Sequence, residues 1–274
     1  MSSNITLSAG VRQNLLSLQN TAALLSQTEL RLATGKKVNS ALDGPSTFFT
    51  AQGLSQNATD LSGLLDAVGN AVQTIEGADN GITAITDLLQ AGKALTDQAL
   101  QTPTTDSTTR ADLATSFDDL LAQIDQLATD AGFNGVNLLD GNDLTVNFNA
   151  DASSTITITG VDDSTAGALS VAGAVSAWAG DVDITAAQDD ISAALTTLQT
   201  QSKTFGASLT VLQTRQDFMK SMINTLQVGA DNLVLADTNE EGANLTALQT
   251  RQQLSIVALS LASQSNQAVL RLFQ

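Results

Sequence analysis

The amino-acid sequence predicts a mainly α protein, a long antiparallel helical bundle or coiled coil formed by both chain ends, with one small β-hairpin. Three observations support this fold class. Leu, Ile, Val and Ala recur at steps of three and four residues, whereas aromatic residues make up only 3% of the 274-residue chain. Proline occurs only at Pro45 and Pro103, so long stretches contain no helix breaker. The best alternation of period two falls near residues 144–159.

The first helix is predicted from about Ser8 to Ala33. Its apolar residues follow alternating steps of four and three, interrupted only by Glu29, and are Val11, Leu15, Leu18, Ala22, Leu25 and Leu32. This spacing is typical of a coiled-coil seam. Gly35 follows as the predicted C-cap, and Pro45 marks a joint because the residue before a proline resists helical geometry.

A second helix is predicted from about Thr47 to Leu100, and a third from near Asp106 to just before Gly132. The connector around Pro103 is short, which favours an antiparallel pair of helices. In the interior of the second helix, Gly69, Gly77, Gly81 and Gly92 each cost about 1 kcal/mol relative to alanine. Packing by neighbouring elements must therefore stabilise that helix.

The β-hairpin is predicted where Leu144, Val146 and Phe148 alternate with polar residues, a turn follows, and Ile156 and Ile158 alternate again. Residues 160–183 are rich in Gly, Ala, Ser and Asp, which indicates irregular surface structure.

The longest helix is predicted from near Ile184 to about Val228, with a length of roughly 65 Å at 1.5 Å per residue. A joint near Gly229 to Gly242 leads into the last helix, which carries two apolar stripes. One stripe contains Leu245, Leu248, Leu259, Val269 and Phe273, and the other contains Leu254, Ala258, Leu261, Ala268 and Leu272. Two stripes indicate that more than one side of this helix packs against a partner.

The chain ends differ in charge from the centre. Residues 1–40 contain four basic residues and one acidic residue, and residues 242–274 contain two basic residues and no acidic one, although the whole chain has a net charge of −17. Weakly charged, apolar helices are marginal alone in water. We therefore expect the terminal helices to be buried against each other and against copies of the chain, through Val11, Leu15, Leu18, Leu25, Leu32, Leu245, Leu248, Leu254, Leu259, Leu261, Val269, Leu272 and Phe273.

Composition excludes several classes of function. The chain has no cysteine and no histidine, so disulfide, thiolate and imidazole chemistry and an ordinary zinc site are excluded. The negative net charge argues against nucleic acid as a partner. The sequence contains no run of eighteen apolar residues, the length that a membrane span needs. No nucleophile–base pair is recognisable, so the sequence predicts no catalytic, cofactor or metal site and no enzyme activity.

Three groups of acidic residues are candidate sites. Asp140, Asn142 and Asp143 hint at a calcium loop, but Leu144 stands where an oxygen ligand belongs, so a turn is predicted. Adjacent carboxylates occur at Asp162 with Asp163 and at Asp189 with Asp190. Because neighbouring side chains point apart, a solvated or helix-terminal role is predicted for both pairs.

Four stretches together resemble bacterial flagellin. Asn14 to Leu54 contains LLSLQNTAALLSQTELRLATGKKVNSALDG, Phe133 to Gly141 has FNGVNLLDG, Ala236 to Gln253 has ADTNEEGANLTALQTRQQ, and Ala258 to Phe273 has ALSLASQSNQAVLRLF. Each is a common sequence by itself. Their order, spacing and position at both ends of the chain make the resemblance specific, and it covers nearly the whole chain.

The resemblance implies a minimal flagellin, with only about 25 residues in place of the large outer domains of other members. Residues 1–42 and 236–274 would form an inner terminal layer, and residues 43–235 a middle layer with the hairpin. It also implies a homopolymer of many copies in the extracellular flagellar filament, exported without a cleaved signal peptide. Further implied partners are other flagellins, a filament cap, hook-junction proteins and an export chaperone.

Two alternatives are a hook–filament junction protein and, less favoured, a secreted helical adhesin. One departure from the family concerns recognition by the Toll-like innate receptor of animals. In flagellins that this receptor detects, the stretch that matches Gln90 to Ala99 carries an arginine-rich, glutamate-containing patch. In this chain the stretch reads QAGKALTDQA. Only Lys93 supplies a basic charge, so weak receptor recognition is expected.

Overall fold

The protein folds into five α-helices and one β-hairpin within residues 9–272, which are the residues that the structure, a computed structural model, describes. The mainly α fold with one small antiparallel sheet is thereby confirmed. The elements in chain order are α1 Ala9–Thr34, α2 Pro45–Gln101, α3 Ser107–Asp130, β1 Leu144–Asn147, β2 Thr155–Ile158, a short 3₁₀ turn Val175–Trp178, α4 Asp181–Val234 and α5 Thr238–Leu272.

Two helix predictions were wrong in detail. The longest helix is α2 with 57 residues, whereas α4 has 54. The joint between α4 and α5 comprises only residues 235–237, so Gly229 and Gly242 both lie inside helices. A helix can tolerate a glycine at a cost of about 1 kcal/mol when the residues around it pack, as Ala230 and Val234 do here. Asp237 starts α5 by accepting hydrogen bonds from the backbone of Asn239 and Glu240.

The chain divides into two compact units, one within Met1–Asn57 and Thr225–Gln274 and the other Ala58–Asn224. The larger unit is built from parts of α2 and α4 together with α3 and the hairpin. Its apolar core contains residues from each of these elements, among them Ile75, Ile85, Leu89, Phe117, Ile124, Val146, Ile158, Ile191, Leu198, Phe205 and Leu212.

The hairpin pairs Leu144 with Ile158 and Val146 with Ile156, as the alternation predicts. Val146, Phe148 and Ile158 are buried, so one face of the hairpin packs on the helices. The guanidinium of Arg215 lies 5.0 Å from the ring centre of Phe148, a cation–π contact that ties the hairpin to α4.

The ends of α3 are capped by side chains. Asp106 accepts a 3.1 Å hydrogen bond from the backbone N–H of Thr109, and the Thr109 side chain and backbone together hold the pKa of Asp106 below its usual value. At the other end, buried Asn137 donates through Nδ2 to the carbonyls of Ala128 and Thr129, at 2.7 and 2.9 Å. These bonds satisfy carbonyl groups that the helix itself leaves unpaired.

The segment between β2 and α4 is fastened to the helices by carboxylates. Asp125 on α3 accepts from the backbone N–H of Thr165 at 2.6 Å, and Asp118 accepts from that of Ala174 at 2.7 Å. The segment then makes a left-handed turn, with φ of 51° at Ser176, and places Trp178 in the core, 5.1 Å from the Phe117 ring. Residues with an irregular pattern in sequence therefore form an ordered cover over α3 and α4.

The smaller unit pairs α1 with α5. Near the ends of these helices, a second apolar cluster is formed by Val38, Ala51, Ala230 and Val234. Gly35 has a φ of +67°, which fits its predicted role in ending α1. The assignment of residues 1–42 and 236–274 to an inner filament layer concerns an assembly of many chains and stays a prediction.

Candidate subunit interface

The side of α1 that is removed from solvent repeats every three and four residues. Its buried and half-buried members are Val11, Asn14, Leu18, Thr21, Leu25, Thr28 and Leu32. A mean step of 3.5 residues is the spacing that keeps one side of a helix against a partner helix, and α1 pairs with α5. We call this set the α1 seam.

The α1 seam differs in phase from the predicted one at alternate positions. Thr21 and Thr28 are buried. Ala22, which was predicted to lie in the seam, is exposed, and so is Glu29, which was predicted to interrupt it. The hydroxyl of Thr21 donates to the Ser17 carbonyl at 2.8 Å, which allows this polar side chain to be buried. Apolar residues are thereby left outside the seam, where Leu15, Leu16, Leu24 and Leu30 remain exposed.

The corresponding seam of α5 has the same spacing. Its members are Glu241, Leu245, Leu248, Gln252, Ser255, Leu259 and Ala262, all buried or half-buried. The polar Gln252 and Ser255 interrupt its apolar part. We call this set the α5 seam.

A second apolar stripe on α5 lies outside its seam. Leu254 is 65% exposed and Leu261 is 67% exposed, Val257 is exposed on the same side, and Ile256 is exposed farther round the helix. These four side chains, together with the four exposed leucines of α1, form what we call the outward rows. Several large apolar side chains exposed on a pair of helices indicate a surface that binds another molecule.

An ion pair fixes the base of the helix pair. Arg31 of α1 donates to Glu241 of α5 at 2.9 Å, and the Glu241 side chain is only 10% exposed. Beside it, the backbone N–H of Lys37 donates to the Val234 carbonyl at 2.7 Å, and that of Ala236 donates to the Gly35 carbonyl at 2.9 Å. These contacts hold the start of α5 next to the end of α1.

The structure thus sorts the predicted interface residues into two groups. Val11, Leu18, Leu25, Leu32, Leu245, Leu248 and Leu259 lie in the two seams, whereas Leu15, Leu254 and Leu261 lie in the outward rows. Val269 and Leu272 belong to α5, but their side chains are not described, and Phe273 lies outside the described residues. On α5 the two predicted stripes already separate these groups, whereas on α1 the periodicity placed the exposed Leu15 in the seam.

The acidic residues of the candidate sites take part in local structure. Asp143 accepts from the backbone N–H of Gly160 at 3.0 Å, and Asn142 accepts from that of Asn137 at 3.1 Å, as in a turn. The predicted solvated role was wrong for Asp163, which is fully buried and accepts a 2.7 Å hydrogen bond from Gln201. Burial raises the pKa of Asp163 to about 6. Nothing in the sequence distinguishes it from the exposed Asp162.

Comparison with known proteins gives the family. The family model for the bacterial flagellin N-terminal helical region matches residues 7–143, and that for the C-terminal helical region matches residues 188–273. The chain belongs to the bacterial flagellin family. Flagellin FljK of Caulobacter vibrioides is 33% identical over 99% of this chain and 98% of its own length, and a flagellin of Brucella melitensis is 28% identical over 95% of each.

Flagellin C of Rhizobium meliloti is 24% identical, over 91% of this flagellin chain and 92% of its own. A crystal structure of Bacillus cereus flagellin matches with a TM-score of 0.48 at 20% identity, over 56% of this chain and 88% of that one. Flagellin is a structural family, so this chain is a subunit of the flagellar filament, an extracellular homopolymer. No helix within the described part of this flagellin has the length and hydropathy that a membrane span requires.

Proposed function

We propose that this flagellin polymerises through the outward rows of α1 and α5, and that the resulting filament converts motor rotation into thrust for swimming. The observation that carries the proposal is the separation of two apolar surfaces on the same helix pair. The seams are occupied within one chain, whereas Leu254 and Leu261 are still about two-thirds exposed. In the filament, another chain would cover them.

The energy available from these residues is sufficient for assembly. Full burial of a leucine or isoleucine side chain contributes about 1.5–3 kcal/mol relative to leaving it exposed. Eight such residues in the outward rows would together contribute about 12–24 kcal/mol, which exceeds the roughly 4–15 kcal/mol of translational and rotational freedom lost on association. We expect the terminal helices of the free monomer to be partly disordered and to fold fully on assembly.

The acidic middle of the chain supports the same function. With the ends slightly basic and a total of −17, the acidic residues are concentrated between the terminal regions. A strongly negative surface keeps the polymer soluble and discourages nonspecific association. We also propose export without a cleaved signal peptide and contacts with a filament cap, hook-junction proteins, an export chaperone and other flagellins.

Recognition by the Toll-like receptor is proposed to be weak. Ala91, Lys93 and Ala94 are exposed on α2, so this surface offers one basic charge and two methyl groups. Asp97 accepts from Gln188 at 2.6 Å, which already uses its carboxylate. Purified monomer should give little signal in a receptor reporter assay, and strong signalling would refute this part of the proposal.

Deletion of residues 242–274 tests the assembly mechanism. This truncation removes most of α5 and keeps every residue of the larger unit. The shortened chain should stay a soluble monomer that never pellets as filaments under conditions in which the full chain polymerises. Filaments of the truncated chain in electron micrographs would disprove the mechanism. A count of copies per sheared filament separates a filament subunit from a hook–filament junction protein, which is present in few copies.

A further inference from the structure

The larger unit contains a carboxyl–amide pair with one unpaired oxygen on each partner. Asp163 and Gln201 are both buried, and Gln201 Nε2 donates to Asp163 Oδ1 at 2.7 Å. The second carboxyl oxygen, Asp163 Oδ2, and the amide oxygen, Gln201 Oε1, have no hydrogen-bond donor among the described protein groups. Buried oxygens without a donor are costly, and two of them on one bonded pair is an unusual arrangement.

We propose that Asp163 and Gln201 form a buried proton-binding site, in which the protonated carboxyl and the amide are joined by two hydrogen bonds. The amide Nε2–H donates to Oδ1, as observed, and the added proton lets Oδ2–H donate to Oε1. A carboxylic acid and a primary amide have matching donors and acceptors. A single proton therefore satisfies both unpaired oxygens and removes a buried charge.

The surroundings favour the neutral carboxyl. Asp162 is adjacent, Asp140 pairs with it through the backbone, and Asp125 on α3 holds Thr165 two residues away from Asp163. Asp79 on α2 accepts from Ser202, the neighbour of Gln201, and Lys203 on α4 is exposed. Of these carboxylates, Asp162 acts directly on Asp163, because its negative charge repels a second negative charge there.

The segment that carries Asp163 is otherwise well held. The backbone N–H of Asp163 donates to the Leu139 carbonyl at 2.8 Å, and that of Val161 donates to the Leu138 carbonyl at 2.7 Å. These bonds fix the carboxyl under α4 in either charge state. The site therefore takes up a proton without needing a change of backbone.

The sign of the pH effect follows from the pKa. Burial raises the pKa of Asp163 to about 6, from an ordinary value of 3.8. The folded chain consequently holds the proton more tightly than the unfolded chain. The stability that the proton contributes is fully present below pH 3.8 and is lost as the pH rises through about 6.

Replacement of Asp163 by asparagine supplies the second donor permanently. In Asp163→Asn the new amide can donate to Gln201 Oε1 at every pH, so the variant mimics the protonated state. Between about pH 4 and about pH 8, the unfolding equilibrium constant of the natural chain should rise about a hundredfold relative to that of the variant. Asp162→Asn is the matched control, since it removes the adjacent exposed carboxylate, and it should leave most of this dependence in place.

Carbon NMR of the full-length monomer tests the natural chain directly. The Asp163 carboxyl carbon should titrate near pH 6, whatever the folding yield of the variants. A carboxyl that stays ionised down to pH 4.5 would overturn the proposal, and so would a constant stability ratio between the natural chain and a folded Asp163→Asn. In the competing arrangement, a water molecule bridges an ionised Asp163 carboxylate to the Gln201 amide, and the carboxyl then stays ionised down to pH 4.5.

Discussion

At the scale of single residues, Arg110 is a buried charge that connects three parts of the larger unit. Its side chain is only 1% exposed. Nε donates to the Thr102 carbonyl at 2.9 Å, Nη1 donates to the Trp178 carbonyl at 3.2 Å, and Nη2 pairs with Asp181. One guanidinium thus joins the end of α2, the start of α3 and the turn before α4.

Arg110 is buried and Asp181 is exposed, so replacing one or the other should change the free energy of unfolding by different amounts. Arg110→Met leaves two carbonyl groups without their donor, so we expect a loss of about 3 kcal/mol in the free energy of unfolding. Asp181 is 60% exposed, so solvent screens the pair. Asp181→Asn keeps an acceptor oxygen and should cost less than about 1 kcal/mol. Urea unfolding of both monomeric variants measures the difference, and equal losses would show that the charge pair, not the carbonyl contacts, is decisive.

Residue-level features were the part of the structure least accessible from sequence. Thr21 in the α1 seam is buried with its hydroxyl bonded to the backbone of the preceding turn, and Asp163 in the larger unit is buried against Gln201, which is distant in sequence. Apolar periodicity assigns such positions to solvent by default. The predicted α1 seam therefore had the right period but contained Ala22 instead of Thr21, and it was interrupted at Glu29 where Thr28 is the buried residue.

At the scale of elements, periodicity was sufficient to place all five helices and the hairpin. Long runs with steps of three and four residues, and one run with steps of two, have few competing interpretations. The error fell at the joint between α4 and α5, because Gly229 and Gly242 are signals for a helix end that tertiary packing overrode. Three residues, whose backbone pairs with the end of α1, make the turn instead.

The glycines of α2 provide a test of why that helix tolerates them. A Cβ added at Gly81 would lie 2.6 Å from Leu139 Cδ1 and 2.8 Å from Ala131 Cβ, whereas one added at Gly63 would meet nothing within 4 Å. Gly81→Ala should lower the free energy of unfolding by about 1 kcal/mol, since overpacking outweighs the gain in helix propensity.

Gly63→Ala, the matched control in the same helix, should raise the free energy of unfolding by about 0.5–1 kcal/mol. Urea unfolding followed by circular dichroism at 222 nm measures both changes. If the two substitutions had the same sign, the close packing of Gly81 against Leu139 and Ala131 would be wrong.

At the scale of the whole molecule, both chain ends contribute to one unit, as their shared charge and spacing predicted. A helix pair with polar residues in its seams and leucines outside them is not optimised for a single chain. The sequence has instead divided its apolar residues between pairing within the chain and a surface that remains exposed. This division lets stability of the monomer and stability of the polymer be altered separately.

Serine substitutions on the two sides of α5 should separate those effects. Leu254→Ser with Leu261→Ser changes two exposed side chains, so the monomer should keep its unfolding free energy to within about 0.5 kcal/mol. Because each leucine contributes about 1.5 kcal/mol or more when buried, the critical concentration for polymerisation should rise at least about tenfold. Sedimentation of filaments over a dilution series measures this concentration.

The matched control makes the same substitutions in the α5 seam, as Leu245→Ser with Leu248→Ser. These residues are half-buried within the chain, so their loss should weaken the pairing of α1 with α5 in the monomer. Increased hydrogen exchange of α1 and α5 amides in the monomer reports that change. The outward-row variant should leave this exchange unaltered. If the outward-row variant had the same critical concentration for polymerisation as the natural chain, the outward rows would not be the surface that joins subunits. Burial of another part of the chain would then have to drive polymerisation.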